Sequence, residues 1–321
     1  MKQSVITGSL GSLGDRFILE GYKDDIPFPE KVRQLATIEG LTGVEVSNCG
    51  IEGDGKMVRS VLGDNGLDCS CVNINIACRR IYGWGALSNK DKAIRSQAID
   101  ECMRATDYAQ ELGADVVNLW PGQDGFDYSL CCDYSRLYDD FLEGVVRIAD
   151  HNPTIKVALE FKPREPRNRS LVESAGTALL MAAESGRANV GVCVDVGHVL
   201  YANGNMASAV EMCGKRGKLF HMHTNDCLGA WDDDMIAGSV HFIEYLELCY
   251  VLRKIKYEGW CSVDIFPSRE NAVESARESI AYMSLFDKLV DRIGIAQIEE
   301  CIRRGDAAYV SRVVREKVFG Q

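Results

Sequence analysis

Eight times along its first 293 residues, a short apolar run of strand composition gives way to a longer segment whose apolar residues recur at helical spacing. The runs fall at 4–8, 43–47, 67–74, 115–120, 155–161, 190–196, 218–223 and 260–265. Helices are expected after 29, near 56–62, and over 91–112, 134–151, 170–185, 206–213, 239–256 and 271–293. Pro29 suits a first helical turn, where its missing N–H costs nothing, and Gly113 is a stop signal for the helix before it. Strands that alternate with helices on short linkers run parallel through right-handed crossovers. Eight such units close into a barrel, so the expected fold class is α/β, a (β/α)8 barrel over residues 1–293. Residues 294–321, rich in Glu and Arg, are expected to form a C-terminal helical extension outside the barrel.

In a parallel barrel the strands are buried on both faces, so a charged residue at a strand end needs a compensating partner. Four of the later runs end in such residues: Glu160 on strand five, Asp195 on strand six, His221 on strand seven and Asp264 on strand eight. Chemistry in these barrels sits at the C-terminal mouth, where all four converge. Two like charges 4 Å apart repel by about 4 kcal/mol at an effective dielectric near 20, whereas a divalent cation turns that repulsion into binding. Glu160, Asp195, His221 and Asp264 are therefore expected to ligate one metal ion. Oxygen-rich ligands favour Mg²⁺ or Mn²⁺, and the imidazole moves the choice towards Mn²⁺ or Co²⁺, with Mn²⁺ first.

Other residues surround this set. His198 follows Asp195 by three positions and His223 shares a strand face with His221, so either is a candidate acid or base. Arg164 and Glu165 lie on the loop after strand five, beside Lys162; Arg164 is suited to polarising a keto oxygen, and Glu165 is a third candidate proton carrier. Trp231 and Asp232 open an acidic run, Trp231-Asp232-Asp233-Asp234-Met235, that could flank a polyol substrate.

Composition sets limits on partners. The net charge of −11 disfavours nucleic acid and anionic membranes. No apolar run approaches the roughly 18 residues needed to span a bilayer. The start Met1-Lys2-Gln3 leads straight into a strand without a signal-peptide pattern, so a cytoplasmic location is expected. Thirteen cysteines, odd in number and scattered through strands and helices, read as reduced core thiols.

At these residues the sequence resembles the xylose-isomerase-like TIM-barrel superfamily of sugar isomerases and epimerases. Asp195-Val196-Gly197-His198 matches its Asp-x-x-His on strand six, Glu160 its strand-five glutamate and His221 its strand-seven histidine. Where ketose 3-epimerases carry a strand-eight glutamate that doubles as acid/base, this chain has Asp264, one methylene shorter. The segments Gly14-Asp15-Arg16-Phe17, Trp231 to Met235 and Ser262-Val263-Asp264 are most similar to the large barrel subunit of C-glycoside deglycosidases. That resemblance implies cleavage of the C–C glycosidic bond of 3-oxo-C-glucosides by C2 deprotonation and elimination, with His198, or else His223, handling the proton. It also implies a small β-subunit and a higher oligomer. The superfamily resemblance alone implies the alternative, a ketose isomerase or epimerase working through a metal-stabilised enediolate. A non-catalytic sugar-binding module is the remaining alternative.

Overall fold

A computed structural model describes residues 1–47, 53–77 and 79–320. The strands are β1 (Lys2–Ile6), β2 (Gly43–Ser47), β3 (Asp68–Ile74), β4 (Val116–Leu119), β5 (Lys156–Glu160), β6 (Val190–Asp195), β7 (Leu219–Thr224) and β8 (Trp260–Val263). Each pairs in parallel with its sequence neighbours, and β1 pairs with β8, so the sheet closes. The (β/α)8 architecture expected from the alternation is the one observed.

The outer layer holds α1 (Phe28–Leu35), α2 (Gly55–Asp64), α3 (Lys92–Leu112), α4 (Tyr134–His151), α5 (Ala175–Glu184), α6 (Val196–Tyr201), α7 (Met206–Gly214), α8 (Phe242–Lys254) and α9 (Ala272–Ile293). Side-chain oxygens start several of them: Asp91 accepts from Ala93 N at 2.8 Å, Asp133 from Arg136 N at 3.1 Å and Asn271 from Glu274 N at 3.0 Å. After Gly294 come α10 (Ile295–Arg304) and α11 (Ala307–Lys317), both packed on α9.

The period-2 alternation of β6 shows how the strands divide their labour. Val190, Val192 and Val194 join the main core against the helices. Cys193 faces inward with Cys71, Val116 and Ala158, a small separate apolar cluster that fills the barrel below the mouth. Asp195 stands one step further along that inward face. The eleven described cysteines are all free thiols, buried apart from Cys131 and Cys132; Cys49 and Cys78 lie outside the described residues.

Two buried aspartates tie down the loops at the mouth. Asp124 accepts from the backbone N–H groups of Ala86, Leu87 and Ser88 at 2.7–3.2 Å, joining the loops after β3 and β4. Asp226 accepts from Val240 N and His241 N at 2.9 and 3.0 Å and so closes the loop after β7. A small antiparallel sheet, Gly125–Phe126 with Asn168–Ser170 and Arg164–Glu165, links the loops after β4 and β5.

The helix α6 lies where the sequence pattern gave no helix, between strand six and residue 206. Asp195 ends β6 and caps α6, accepting from His198 N at 2.9 Å. The turn is tight: a Cβ at Gly197 would stand 2.4 Å from Asn225 Oδ1, so only glycine fits.

The α8–α9 seam is aromatic. Phe286 is fully buried, edge-on to Phe242 at 4.8 Å and stacked on Tyr245 at 5.5 Å. Phe286→Ala should lower the unfolding free energy by about 3–5 kcal/mol, read as a fall in the denaturant midpoint.

Candidate metal centre

At the C-terminal end of the barrel, ligand atoms of Glu160, Asp195, His223 and Asp264 all lie within 4.8 Å of one another. His223 is at the middle: its Nδ1 is 3.4 Å from Glu160 Oε1, 3.7 Å from Asp195 Oδ2 and 3.2 Å from Asp264 Oδ2. The imidazole is completely buried, yet Nδ1 has no hydrogen-bond partner. A buried ring nitrogen facing three carboxylates fits a divalent cation, which would satisfy all four groups at once. The residues present therefore suit a divalent metal ion.

The histidine in this set is not the expected one. His221 lies two residues earlier on the inward face of β7, and its Nε2 turns to Glu45 Oε2 at 2.7 Å. The expectation placed the ligand at the first histidine of His221-Met222-His223. The strand rises about 3.3 Å per residue, so the second histidine is the one that reaches the level of Asp195, its ladder partner on β6.

Three of the four groups are held from behind. Asn118 on β4 donates to Glu160 Oε2 at 2.5 Å. Asn225 donates to Asp195 Oδ2 at 3.1 Å and accepts from Gly197 N at 2.8 Å. Glu45 on β2, fully buried, lies 3.2 Å from His223 Nε2. Burial alone would raise the Glu45 carboxyl, but the His223 and His221 imidazoles outweigh it and hold the group below its ordinary value. Burial would lower the pKa of His223, but its acidic neighbours, Glu45 and Glu160 among them, raise it well above its ordinary value in the metal-free protein; an ionised Glu45 would hold the proton on Nε2 while a cation displaces the one on Nδ1, as carboxylates behind metal-bound histidines do.

The proton carriers expected from the sequence are engaged elsewhere. His198 is buried in α6, where Nδ1 donates to the Phe161 carbonyl at 2.8 Å and Nε2 stands 3.1 Å from Asp232 Oδ2. Burial would lower its pKa, but the Asp195 and Asp232 carboxylates raise it to about 9. Both ring nitrogens of His198 are thus engaged within the protein rather than open towards the mouth. Lys162 Nζ lies 2.8 Å from Asp232 Oδ2 and pairs with Glu165, so the half-buried Glu165 and the buried Lys162, Asp232 and His198 form one chain of alternating charge. Asp232, expected against substrate, is internal to that chain. Arg164 donates from Nε to the Tyr201 hydroxyl, and its guanidinium lies 5.4 Å from the Tyr201 ring and 5.9 Å from that of Trp231.

A family model described as a xylose isomerase-like TIM barrel matches residues 32–285. The chain belongs to that family. Among solved structures, a D-tagatose 3-epimerase-like protein is 20% identical with a TM-score of 0.67, over 90% of this chain and 100% of that one. A D-psicose 3-epimerase determined in the presence of D-fructose is 19% identical with a TM-score of 0.69, over 89% and 99%. A 3-keto-D-glucoside 4-epimerase from E. coli, in its apo form, is 17% identical with a TM-score of 0.65, over 89% and 99%. At such identities the likeness is one of fold. Among the described residues no helix is long and apolar enough to cross a membrane.

Sequence reasoning passed over Glu45, Asn118 and Asn225. The signal for Glu45 was present, a carboxylate inside the apolar run Val44-Glu45-Val46, and the argument applied to Asp195 would have found it. The two asparagines carry no charge and left no comparable trace.

Among the three carboxylates of the set, Asp264 is the one raised towards neutral pH. Burial, reinforced by Asp195, Glu160 and Glu45 and opposed by His223, raises its pKa to about 7 in the metal-free protein. A carboxyl must lose its proton to bind a cation. Mn²⁺ affinity measured by calorimetry should therefore climb as pH rises through about 7, and Asp264→Asn should weaken binding and flatten that step.

Proposed function

We propose that this xylose isomerase-like barrel is a divalent-metal-dependent enzyme of the sugar isomerase/epimerase class, taking a proton from the carbon beside a sugar carbonyl. The unpartnered, buried Nδ1 of His223 among three carboxylates is the observation that carries this reading. Membership of the family and the epimerase folds it resembles support it.

Glu160, Asp195, His223 and Asp264 would hold the ion, with Mn²⁺ the first choice and Mg²⁺ or Co²⁺ the alternatives. When bound, it supplies positive charge to neighbouring carbonyl and hydroxyl oxygens, which stabilises an enediolate. Asp264 is the proton acceptor that the geometry supports best: 30% of its side chain is exposed, against 5% for Glu160 and 1% for Asp195, so it faces the opening. Trp231 and Tyr201 meet edge to face at 5.3 Å with the Arg164 guanidinium over both rings, a wall against which a sugar ring would lie. His198 and the Lys162–Glu165 pair act at one remove, fixing Asp232 and the β5 end so that the wall and the carboxylates keep their spacing.

A second reading, the lyase that cleaves 3-oxo-C-glucosides, is favoured by one specific observation. The loops at the mouth expose large apolar side chains, among them Phe17 at 74%, Leu19 at 82%, Trp84 at 90% and Leu130 at 99%. An aromatic aglycone would find contacts on such a rim that a simple ketose has no use for. The same surface would suit a small β-subunit or a further copy of the chain.

Both readings share the deprotonation and differ in its product. The Mn²⁺-loaded protein, incubated in D₂O with a panel of ketoses, should exchange deuterium into the carbon beside the carbonyl, and chelation should stop it. Asp264→Asn should slow exchange by about 10²- to 10⁴-fold, the usual worth of a positioned base. Release of free aglycone from a 3-oxo-C-glucoside, with or without a small partner chain, would establish the lyase. Metal-dependent sugar binding with no exchange and no cleavage would leave a binding module and refute the proposal.

A further inference from the structure

Directly beneath the oxygen-rich set lies a thiol that the mechanism does not use. Cys193 precedes Asp195 by two residues on the inward face of β6 and is the ladder partner of Glu160 on β5. It is fully buried, and its Sγ, a Glu160 carboxylate oxygen and a His223 ring nitrogen all lie within 4.8 Å of one another. Two of these three groups belong to the upper set as well. The third exchanges hard oxygen for soft sulfur.

We propose that Cys193, Glu160 and His223 form a second, deeper metal position, selective for soft divalent ions such as Zn²⁺ or Cd²⁺, that excludes the hard ion above it. The inference rests on the same pocket as the proposed function, but concerns which ions it takes and where they settle. Zn²⁺ and Cd²⁺ accept mixed sulfur, nitrogen and oxygen sites with few ligands, whereas Mn²⁺ and Mg²⁺ favour a fuller shell of oxygens. Only one nitrogen of His223 faces the ligands, since Nε2 is turned to Glu45. The two positions therefore compete for His223 and for Glu160, and one ion occupies the pocket at a time.

Binding breaks the Cys193 S–H bond, forms a sulfur–metal bond and releases one proton to solvent; nothing is oxidised or reduced. An ion in the lower position is surrounded by groups that are all nearly inaccessible, with Glu160 3% and His223 0% exposed. It cannot present open positions to a sugar, so the soft-metal form is a closed, inactive state. This makes the thiol a liability under zinc or cadmium stress and gives the protein a built-in preference for hard ions when it is active.

The test is spectroscopic and needs no substrate. The metal-free full-length protein is titrated with Cd²⁺ and followed by the ultraviolet sulfur-to-cadmium charge-transfer absorbance, and the bound ion is examined by X-ray absorption. One sulfur scatterer per bound Cd²⁺ is expected, with the charge-transfer band suppressed competitively by Mn²⁺. Cys193→Ser should remove the band and weaken Cd²⁺ by at least the roughly 10- to 100-fold that even a supporting partner is worth, while leaving Mn²⁺ affinity within about threefold. Cys71→Ser, on the neighbouring inward face, should leave the band in place. Cd²⁺ bound with oxygen and nitrogen neighbours alone would overturn the proposal even where Mn²⁺ binds as expected. Failure of both ions to bind would overturn it together with the metal-centre reading. The wild-type absorption spectrum decides the matter if the serine variant does not fold.

Discussion

The mutual repulsion of Glu160, Asp195 and Asp264 around one imidazole nitrogen is the constraint on which the upper half of this barrel depends. Glu160 and Asp195 are essentially sealed from water and Asp264 is partly open, so little solvent is available to screen them. Without a cation, the strain falls on Asp264, whose carboxyl retains its proton up to about pH 7. With one, all three are ionised and the His223 lone pair has a partner. The arrangement is costly as an apo structure and favourable as a metal site, which is why a structural role for these residues is a poor explanation of them.

The surroundings are built to keep that geometry fixed. Asn118, Asn225 and Glu45 each hold one member of the set from a different strand or loop, so a displacement of β2, β4 or the loop after β7 is felt at the centre. Asp195 links the layers: its carboxylate faces His223, caps α6 through His198 N and accepts from Asn225. Gly197 lets that turn approach Asn225 closely. Further out, the Lys162–Asp232–His198 chain balances its own charges, with two cations beside Asp232, so Asp232 needs no metal although it lies close to Asp195 and His198.

Much of this was legible in the sequence because it rests on two periodicities. The helical and strand repeats gave eight βα units, and inward alternation placed Glu160, Asp195 and Asp264 at one mouth. The choice between His221 and His223 was not legible, because both point inward and only the height of β7 relative to β6 distinguishes them. Nor was the role of His198: sequence spacing places it near the metal, but its two acceptors, the Phe161 carbonyl and Asp232, come from other loops. The helix α6 escaped because it is six residues long and opens with Val-Gly-His, a poor helical start made possible by the Asp195 cap and its tertiary neighbours. Pairing along the chain can be read from pattern; partnership across the barrel cannot.

The central claim is that one ion sits on Glu160, Asp195, His223 and Asp264, with His223 Nδ1 as its only nitrogen. Anomalous diffraction at the manganese edge, from crystals grown with Mn²⁺, tests it most directly. The account predicts a single peak within bonding distance of His223 Nδ1 and of all three carboxylates, with the His221 ring still turned to Glu45. A peak bound to His221 and Glu45, or no ordered ion at the mouth at saturating Mn²⁺, would contradict it.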